Sequence, residues 1–475
     1  MVSHLVPPRL RRPLLSVACA ACAACGIAPM LLAQAPTSRG RVIATIDSLA
    51  AAFLADGPVA GVSIAVVKGR DTVVLKGYGL ADVENDVPAT AKTVYRIGSI
   101  TKQFTAAAIM RLVESGKLSI DDTLGKLGWG VPPAWQGITV RRLLNHTSGI
   151  RSYTSLGPRW QRRWREDMLP DTIVGLVHDD TLDFKPGTQW RYNNTGYVLL
   201  GMIVRGVSGK PYDTFLEEEF YRPLGLSQTY YCSQRPIIKH RAQGYQRANR
   251  QLVNAEYLSM TQPFSAGALC STVGDLVTWQ RALVAGRVVR PASYAAMTTP
   301  ESLADGKPLT YGYGLAAGTF EKRRRISHGG GIHGFSTELA YYPDDTLHVV
   351  VLANTESNPG RLADQIARAA LGLPLLTPPR GVALSGTERA RYVGSYTLTS
   401  PSGQRVPVRV FEQAGTLMGQ IGGQPPSRLV ALGNHAFVLH ENPEVRIDFD
   451  VSGERATKLT LVQPGGARVE ATRDP

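Results

Sequence analysis

The stretch Tyr95–Leu118, "YRIGSITKQFTAAAIMRLVESGKL", carries a serine and a lysine three residues apart where a small-residue turn runs into a helix. Apolar residues then recur at three- and four-residue spacing, and Gly116 is suited to end an amphipathic helix. Ser99 is therefore expected near the helix start, with Lys102 on the same face. A lysine amine beside a serine hydroxyl can activate a nucleophile, although most isolated S-x-x-K pairs are a cap and a solvated lysine.

The overall composition is that of a globular protein. The chain has 475 residues, 43% hydrophobic and 19% charged, so one large domain plus a smaller one is expected. The formal net charge of +14 raises the question of nucleic-acid binding. The basic residues are scattered, however, and the one dense run, 321–325, has no nucleic-acid motif beside it. We therefore expect no nucleic-acid partner.

The first 35 residues resemble a secretory signal peptide. Three arginines precede a long apolar run, and Ala33-Gln34-Ala35 supplies a small-residue cleavage site. An uncleaved anchor is the weaker alternative, because Gly26 and Pro29 interrupt the run. The pattern predicts cleavage near Ala35, export to the periplasm or the exterior, and no membrane span in the mature chain.

The next block, residues 36–372, predicts one α+β domain. Two β-branched runs flank a turn at 68–71, which indicates a hairpin, and residues 140–300 are mostly helix-patterned. Strand character returns at 334–355 and a closing helix follows. Strands at both ends of a helical middle favour one antiparallel sheet flanked by helices, with an all-helical region beside it.

The C-terminal part has a different pattern. The proline-rich segment 373–384 predicts a linker, and 385–475 alternates in short strands separated by Gly and Pro, which indicates a small all-β domain, a barrel or a sandwich. Outside the signal segment the cysteines are Cys232 and Cys270. They could pair in an oxidising compartment, but their separation says nothing about geometry.

A second chemical segment is "FKPGTQWRYNNTGYVLLG", in which Tyr192 and Asn194 sit in a turn before an apolar helix. Taken alone, the tyrosine suits a half-buried packing position and the asparagine suits a helix cap. A phenol near a lysine amine can instead share its proton and serve as a general base.

The third segment, "ISHGGGIHGFSTELAYYP", contains two histidines and a G-x-G-x-x-G match. A dinucleotide site needs a strand before the glycines and a helix after them, whereas a charged turn precedes and a strand follows here. Glycines ahead of a strand suit a close approach of ligand to backbone. Two histidines without a third ligand do not make a metal site, so we expect no metal and no cofactor.

In this order and at these distances, the three segments resemble the active-site motifs of the serine β-lactamase and penicillin-binding-protein superfamily. The motifs S-x-x-K, Y-x-N and H-x-G, a variant of K-T-G, stand here at 99–102, 192–194 and 328–330. The Y-x-N form resembles the class C branch and its relatives among carboxylesterases and D-amino-acid peptidases. The resemblance covers about 41–372, and the β domain is similar to lipocalin-like appendages of some members.

The resemblance implies a role for each motif residue. Ser99 would attack a carbonyl and form an acyl-enzyme after Lys102 and Tyr192 ease removal of its proton, and Tyr192 would then activate water. Asn194 would orient the lysine or the substrate amide. Backbone N–H groups of Ser99 and Gly331 would form the oxyanion hole.

One departure bears on specificity. His328 replaces the lysine of K-T-G and is largely neutral at pH 7 if unperturbed, so it holds a substrate carboxylate less well. We therefore expect an esterase-like hydrolase of small esters or amides, with His328, Gly329, Gly330 and His333 binding substrate; His333 could equally pack or be solvated. The alternatives are a D-amino-acid peptidase or DD-carboxypeptidase, a class C-type β-lactamase, and a non-catalytic envelope ligand-binding protein. His146, in "NHTSG", is expected to tie a loop by hydrogen bonds.

Overall fold

The computed structural model describes residues 38–475 except 56, 129, 249–250, 378, 400–404, 423–425, 441 and 464–467. The predicted signal peptide, 1–35, therefore lies outside the described residues, and its cleavage and the export of the chain stay predictions. Within the described ranges, no helix has both the length and the apolar character needed to cross a membrane.

The strands are numbered in chain order. They are β1 (Gly61–Lys68), β2 (Asp71–Asp82), β3 (Val87–Pro88), β4 (Tyr95–Arg96), β5 (Tyr230–Tyr231), β6 (Tyr245–Ala248), β7 (Gln251–Asn254), β8 (Leu269–Ser271), β9 (Ala316–Phe320), β10 (Arg323–Ile332), β11 (Phe335–Tyr342), β12 (Leu347–Ala353), β13 (Gly394–Thr399), β14 (Arg405–Gln413), β15 (Thr416–Ile421), β16 (Ser427–Gly433), β17 (Ala436–Leu439), β18 (Arg446–Ser452), β19 (Arg455–Val462) and β20 (Arg468–Arg473).

The α-helices are numbered in the same way. They are α1 (Ser38–Ala55), α2 (Thr101–Glu114), α3 (Val140–Leu144), α4 (Pro158–Gln161), α5 (Pro170–Gly175), α6 (Asn194–Ser208), α7 (Tyr212–Leu216), α8 (Arg222–Leu224), α9 (Phe264–Gly267), α10 (Val273–Val284), α11 (Pro291–Thr298), α12 (Pro359–Leu371) and α13 (Gly386–Ala390).

The main sheet joins the two ends of the first domain, as the sequence predicts. Its strand order is β3-β2-β1-β12-β11-β10-β9, and β1 pairs antiparallel with β12, with Ile64 opposite Val351. Strands β11 and β12 are buried throughout, because an apolar cluster covers each face of the sheet. One of these clusters is formed with α1 and α12, and the other with the helices of the middle region. The expected α+β fold, with helices on both faces, is confirmed.

Helix α2 is buried more completely than its sequence suggests. The pattern predicts an amphipathic helix, yet eleven of its fourteen residues are buried. Small side chains at 106–108 let α6 and α9 pack closely against it, and Phe104 stacks on Trp279 with ring centroids 3.8 Å apart. Lys102 therefore lies inside the domain and not on its surface.

A small sheet supports the entry to α2. Strand β8 pairs with both β4 and β5, and Arg96 lies opposite Cys270 in that register. Cys270 forms a disulfide with Cys232, with Cα atoms 5.3 Å apart. The pairing that the sequence left open is therefore present, and it links β8, the neighbour of β4, to the residue that follows β5.

The C-terminal strands β13 to β20 form a closed barrel, because β13 pairs with β14 on one side and β20 on the other. Its interior is filled by apolar and aromatic side chains, among them Tyr396, Phe437 and Phe449. The predicted small all-β domain is confirmed as a barrel. Helix α12 contacts it through Arg368, whose guanidinium lies 3.9 Å from the Glu444 carboxylate.

Candidate active site

Ser99 occupies the 3-10 turn Gly98–Ile100, which leads directly into α2. The turn approaches β10 so closely that a Cβ on Gly98 would lie 3.0 Å from the Gly331 nitrogen. Gly98 also has a φ of +49°, a conformation that other residues adopt at a cost. The sequence therefore brings the Ser99 turn and the Gly331 N–H together by omitting a side chain.

Lys102 is fully buried one helical turn after Ser99. Its Nζ lies 2.8 Å from Asn194 Oδ1, 2.7 Å from the Ala266 carbonyl oxygen and 3.1 Å from Ser99 Oγ. The three contacts come from the Ser99 turn, α6 and α9, so the amine is fixed by elements far apart in the sequence. Of these partners, the Ala266 carbonyl is one that the sequence motifs do not indicate.

Burial determines the charge of this amine. Loss of hydration lowers the pKa of Lys102 well below its ordinary value of 10.5, which favours the neutral form. A neutral amine donates two hydrogen bonds, and the two shorter contacts, to Asn194 and Ala266, are both with acceptors. Because Nζ also lies 3.1 Å from Ser99 Oγ, a neutral amine at this position can accept the serine proton.

The segment around Tyr192 is held by the start of α6. Asn193, not Asn194, caps this helix, because its side-chain oxygen accepts from the Gly196 N–H at 2.6 Å. Asn194 is thereby free to bond Lys102, and its Nδ2 donates to Thr154 Oγ1 at 3.0 Å. The capping alternative for Asn194 is thus wrong by one position.

Tyr192 places its ring beside the lysine, with Nζ 4.7 Å from the ring centroid. Its hydroxyl is buried and has no partner of good hydrogen-bond geometry among the described residues. Burial raises the pKa of the Tyr192 phenol above 10, and the nearby Ser99 hydroxyl opposes part of that rise. The phenol is therefore protonated at rest and lies next to both Ser99 and Lys102.

His328 is buried in β10 and is neutral. Its Nδ1 lies 2.5 Å from the Gly329 carbonyl oxygen and must donate to it, so Nε2 accepts from the Tyr311 hydroxyl at 2.8 Å. Burial, together with the positive charge that Lys102 can carry, lowers the pKa of His328 to about 3. No fixed cation stands at this position.

The glycines of β10 have unequal surroundings. A Cβ on Gly330 would lie 2.1 Å from the Ile97 carbonyl oxygen, and Thr337 Oγ1 donates to the same oxygen at 3.0 Å. A Cβ on Gly331 would meet nothing within 4 Å. Gly330 thus packs β10 against the Ser99 turn, while Gly331 faces open space, and Gly329 is exposed beside them.

His333 lies further along, in the turn between β10 and β11. Its ring contacts Trp164 with centroids 4.3 Å apart, and its Nδ1 donates to the Glu256 carbonyl oxygen at 3.0 Å. None of its hydrogen bonds or ring contacts is with Ser99, Lys102 or Tyr192. The structure therefore brings together the other predicted site residues and sets His333 at the rim.

Two aromatic residues at the centre of the site belong to none of the three sequence motifs. His146 packs against Tyr192, with centroids 4.4 Å apart, and its Nδ1 accepts from the Asn193 N–H at 3.1 Å. Tyr311 packs on the other side of His146 at 4.6 Å. The sequence offered only weak signals for them, "NHTSG" and "YGYGL", because neither belongs to a catalytic motif.

Comparison with known proteins gives consistent matches. Residues 46–373 match the family model described as Beta-lactamase. Penicillin-binding protein 4* of Bacillus subtilis is 28% identical over 436 residues, which are 86% of this chain and 94% of that protein. A D-aminopeptidase of Gluconobacter oxydans is 27% identical over 371 residues, 76% of this chain and 68% of that protein.

A solved structure extends the similarity to the barrel. The octameric penicillin-binding protein homologue from Pyrococcus abyssi superposes with a TM-score of 0.65 and 26% identity. The match covers 91% of this chain and all of the other. The similarity therefore includes both the helix-flanked sheet and most of the C-terminal part.

Proposed function

Because this chain belongs to the β-lactamase family and is a serine hydrolase, we propose that it cleaves amide bonds of D-amino-acid amides and of short peptides with an N-terminal D residue. The observation that carries the proposal is the buried Lys102 amine bonded to Ser99, whose lowered pKa favours the neutral form that can take the serine proton. The D-aminopeptidase relative supports the substrate class.

In the acylation step, Ser99 Oγ attacks the substrate carbonyl carbon while its proton passes to the neutral Lys102 amine. The carbonyl oxygen becomes an oxyanion, which the backbone N–H groups of Ser99 and Gly331 stabilise. When the C–N bond breaks, the departing amine takes a proton from the Tyr192 phenol, and the Lys102 ammonium restores that proton. The products are a free amine and an acyl ester on Ser99.

Deacylation reverses these proton movements. Water attacks the acyl carbon while its proton passes to Lys102 or, through it, to a transiently ionised Tyr192. Collapse of the second oxyanion releases a carboxylic acid and returns the proton to Ser99. Asn194 keeps the lysine aligned through both halves, since it accepts one of the lysine N–H groups at 2.8 Å.

His328 bears on the alternatives. A β-lactamase or DD-carboxypeptidase substrate has a carboxylate near the reacting bond, and a buried neutral histidine offers it no charge. The esterase-like interpretation rests on the same histidine and is the second candidate. Esters are intrinsically easier to cleave than amides, so ester turnover alone would not separate the two.

Export is a further part of the proposal. It is supported by the arginines, apolar run and Ala33-Gln34-Ala35 site in the first 35 residues. N-terminal sequencing of the protein recovered from the periplasm or medium would find Pro36 at or near the first position. Recovery of the intact chain in the cytoplasm would contradict it.

The test compares the p-nitroanilides of D-alanine and L-alanine with p-nitrophenyl butyrate and nitrocefin, using S99A as the blank. We expect the D-anilide to be cleaved at least tenfold faster than its L isomer, with nitrocefin spared. Turnover of the ester without either anilide would favour the esterase. If no substrate is turned over and a fluorophosphonate fails to label Ser99 in folded protein, the binding-only alternative returns.

A further inference from the structure

A cavity of about 420 Å³ lies beside His333, in the turn between β10 and β11. It is lined by Gln161, Arg162, Trp164, Arg165, Glu256 and Tyr257. His333, two residues beyond Gly331 in the chain, touches two of its walls, through the Trp164 ring at 4.3 Å and the Glu256 carbonyl at 3.0 Å. The cavity is therefore joined to the turn that follows the oxyanion strand.

Hydrogen bonds fix the walls of this cavity relative to the catalytic lysine. The Gln262 side chain donates to the carbonyls of Arg163 and Glu166 at 2.6 and 2.7 Å. The Ser259 N–H donates to the Trp164 carbonyl at 2.8 Å. Four residues after Gln262 comes Ala266, whose carbonyl holds Lys102. The arginine-bearing segment is thus braced against the same stretch that positions the base.

The charges around the cavity are unbalanced. Arg162 and Arg165 are exposed, and neither forms an ion pair within the described part of the chain, whereas their neighbour Arg163 pairs with Glu166 at 2.8 Å. Glu256 is the one carboxylate in the lining, and Tyr257 adds a phenol that is 41% exposed. Two unpaired guanidinium groups against one carboxylate favour an anionic ligand.

We propose that this cavity is a subsite for a carboxylate of the substrate, with Arg162 and Arg165 as its ligands. The inference rests on the proposed function and narrows its substrates to peptides that carry a free carboxylate some distance beyond the scissile amide. Before proton transfer the catalytic centre offers no cation to bind a carboxylate, because burial favours the neutral forms of His328 and Lys102. Guanidinium groups suit this task, since their N–H groups match the two oxygens of a carboxylate.

The experiment uses matched peptides that differ only in this charge: D-Ala-Gly, D-Ala-Gly-Gly and D-Ala-Gly-Gly-Gly, each as the free acid and as the C-terminal amide. For the length whose terminus reaches the cavity, kcat/KM for the acid should exceed that for the amide about tenfold. The R162Q/R165Q variant should bring this ratio close to one. Added salt should reduce the ratio in the parent enzyme.

Two further variants make the test specific. R163Q removes a charge from the same segment but outside the cavity lining, so it should keep the ratio of the parent. E256Q removes a negative charge that repels the substrate carboxylate, so it should raise the ratio of kcat/KM for the acid to that for the amide. An acid preference at no length, or one that survives in R162Q/R165Q, overturns the subsite, and a preference lost equally in R163Q reduces it to general surface charge.

The proposed function can fail separately. If none of the peptides is cleaved, neither the free acids nor the C-terminal amides, the D-aminopeptidase assignment is wrong, and the subsite is then decided by labelling of Ser99. Fluorophosphonates with a carboxylate tail and with a carboxamide tail of equal length are compared. Faster labelling by the carboxylate probe, lost in R162Q/R165Q, supports the subsite, and equal rates reject it.

Discussion

The catalytic domain and the C-terminal barrel bury different kinds of side chain. The catalytic domain encloses Lys102, His146 and His328, each almost without exposure to solvent. In the described part of the barrel, every buried side chain is apolar or a tyrosine, except that of Thr460. Burying polar groups costs free energy unless they are bonded, so their concentration in one domain marks where chemistry, and not packing alone, has shaped the interior.

The largest expected effect follows from removing the proposed nucleophile, Ser99. S99A should lower kcat on the preferred amide by roughly 10⁴-fold or more, because no covalent intermediate can form. The circular dichroism spectrum and melting temperature should stay close to those of the parent, since Ser99 is only half-buried. Steady-state hydrolysis measures kcat, and producing the variant in a strain that has never expressed the parent excludes contamination by active enzyme.

A residual rate within tenfold of the parent would show that another group acts as nucleophile. The burial of Lys102 could then no longer be explained by activation of Ser99, and the comparison of the two domains would have to rest on the other group.

Truncating a barrel core residue tests the other side of the comparison. Phe449 packs on Tyr392 and Phe437, with centroids 5.0 and 5.4 Å apart. F449A should lower the free energy of barrel unfolding by about 3–5 kcal/mol, through lost burial and the cavity left behind. Hydrolysis of a small anilide should change less than about twofold. Urea unfolding monitored by far-UV circular dichroism measures the stability, and a hydrolysis assay of the same protein measures the activity.

The partly exposed Phe411 of β14 provides the control, because F411A leaves the interior packed. A parallel loss of activity in F449A but not in F411A would mean that the barrel forms part of the site, against the division proposed above.

The disulfide is the covalent support of the catalytic side. The Cys232–Cys270 bond closes a loop of 38 residues beside β4, and a chain-entropy model gives it about 4 kcal/mol of stability. C232S/C270S should therefore unfold at lower urea concentration, with nearly unchanged activity at room temperature. Thiol titration of the unfolded parent lacking residues 1–35 should find no free thiol before reduction and two after it. Two titratable thiols without reductant would show that Cys232 and Cys270 are not bonded, so that the disulfide does not stabilise the catalytic domain.

The sheet and its partners were predictable because their signals are local and periodic. The hairpin at 68–71, the strands around 343–345 and the alternation past 385 each follow from side-chain spacing. The closure of β1 on β12 followed from the rule that terminal strands complete a sheet around a helical insertion. The order of the three motifs along the chain likewise predicts a single site.

Other features depend on contacts between distant segments, which no local pattern encodes. The Ala266 carbonyl holds Lys102 through a backbone atom, so the type of side chain there carries no signal. His146 and Tyr311 reach Tyr192 from separate loops. The burial of α2 likewise arises from the helices around it, although its own sequence reads as amphipathic.

Acid should lower the free energy of unfolding of the catalytic domain, because that domain buries His328 in its neutral form. The pKa of His328 is about 3 in the fold, while an unfolded histidine titrates near its ordinary value of 6.5. As the pH falls below 6.5, the His328 imidazole binds a proton in the unfolded chain but stays neutral in the folded protein. Each pH unit between about 6.5 and 3 should therefore remove about 1.4 kcal/mol of stability on this account.

Urea unfolding of the parent and H328Q from pH 7 to pH 4.5 isolates this contribution, because carboxylates titrate equally in both. We expect a shallower decline for H328Q. The exposed His178 supplies the control variant, H178Q, which should follow the parent. Parallel curves for all three would indicate that His328 takes up its proton within the fold.

The smallest expected effect concerns His146, which separates support of Tyr192 from ordinary packing. This residue has a φ of +63°, which asparagine tolerates well, and an asparagine oxygen can replace Nδ1 as the acceptor of the Asn193 N–H. H146N thus keeps the loop bond and removes only the ring that lies against Tyr192 and Tyr311. We expect kcat to fall about tenfold with little change in KM, since a less firmly held phenol spends less time aligned with Ser99.

H146A removes the ring and the bond together, so it should also lose about 1–3 kcal/mol of stability from the unpaired N–H. Equal kcat losses in H146N and H146A would identify the ring as the positioning element for Tyr192. If H146N keeps the parent kcat and pH profile while H146A is impaired, His146 only ties the loop, and the buried polar groups of the catalytic domain then divide into those that act on the reaction and those that hold its frame.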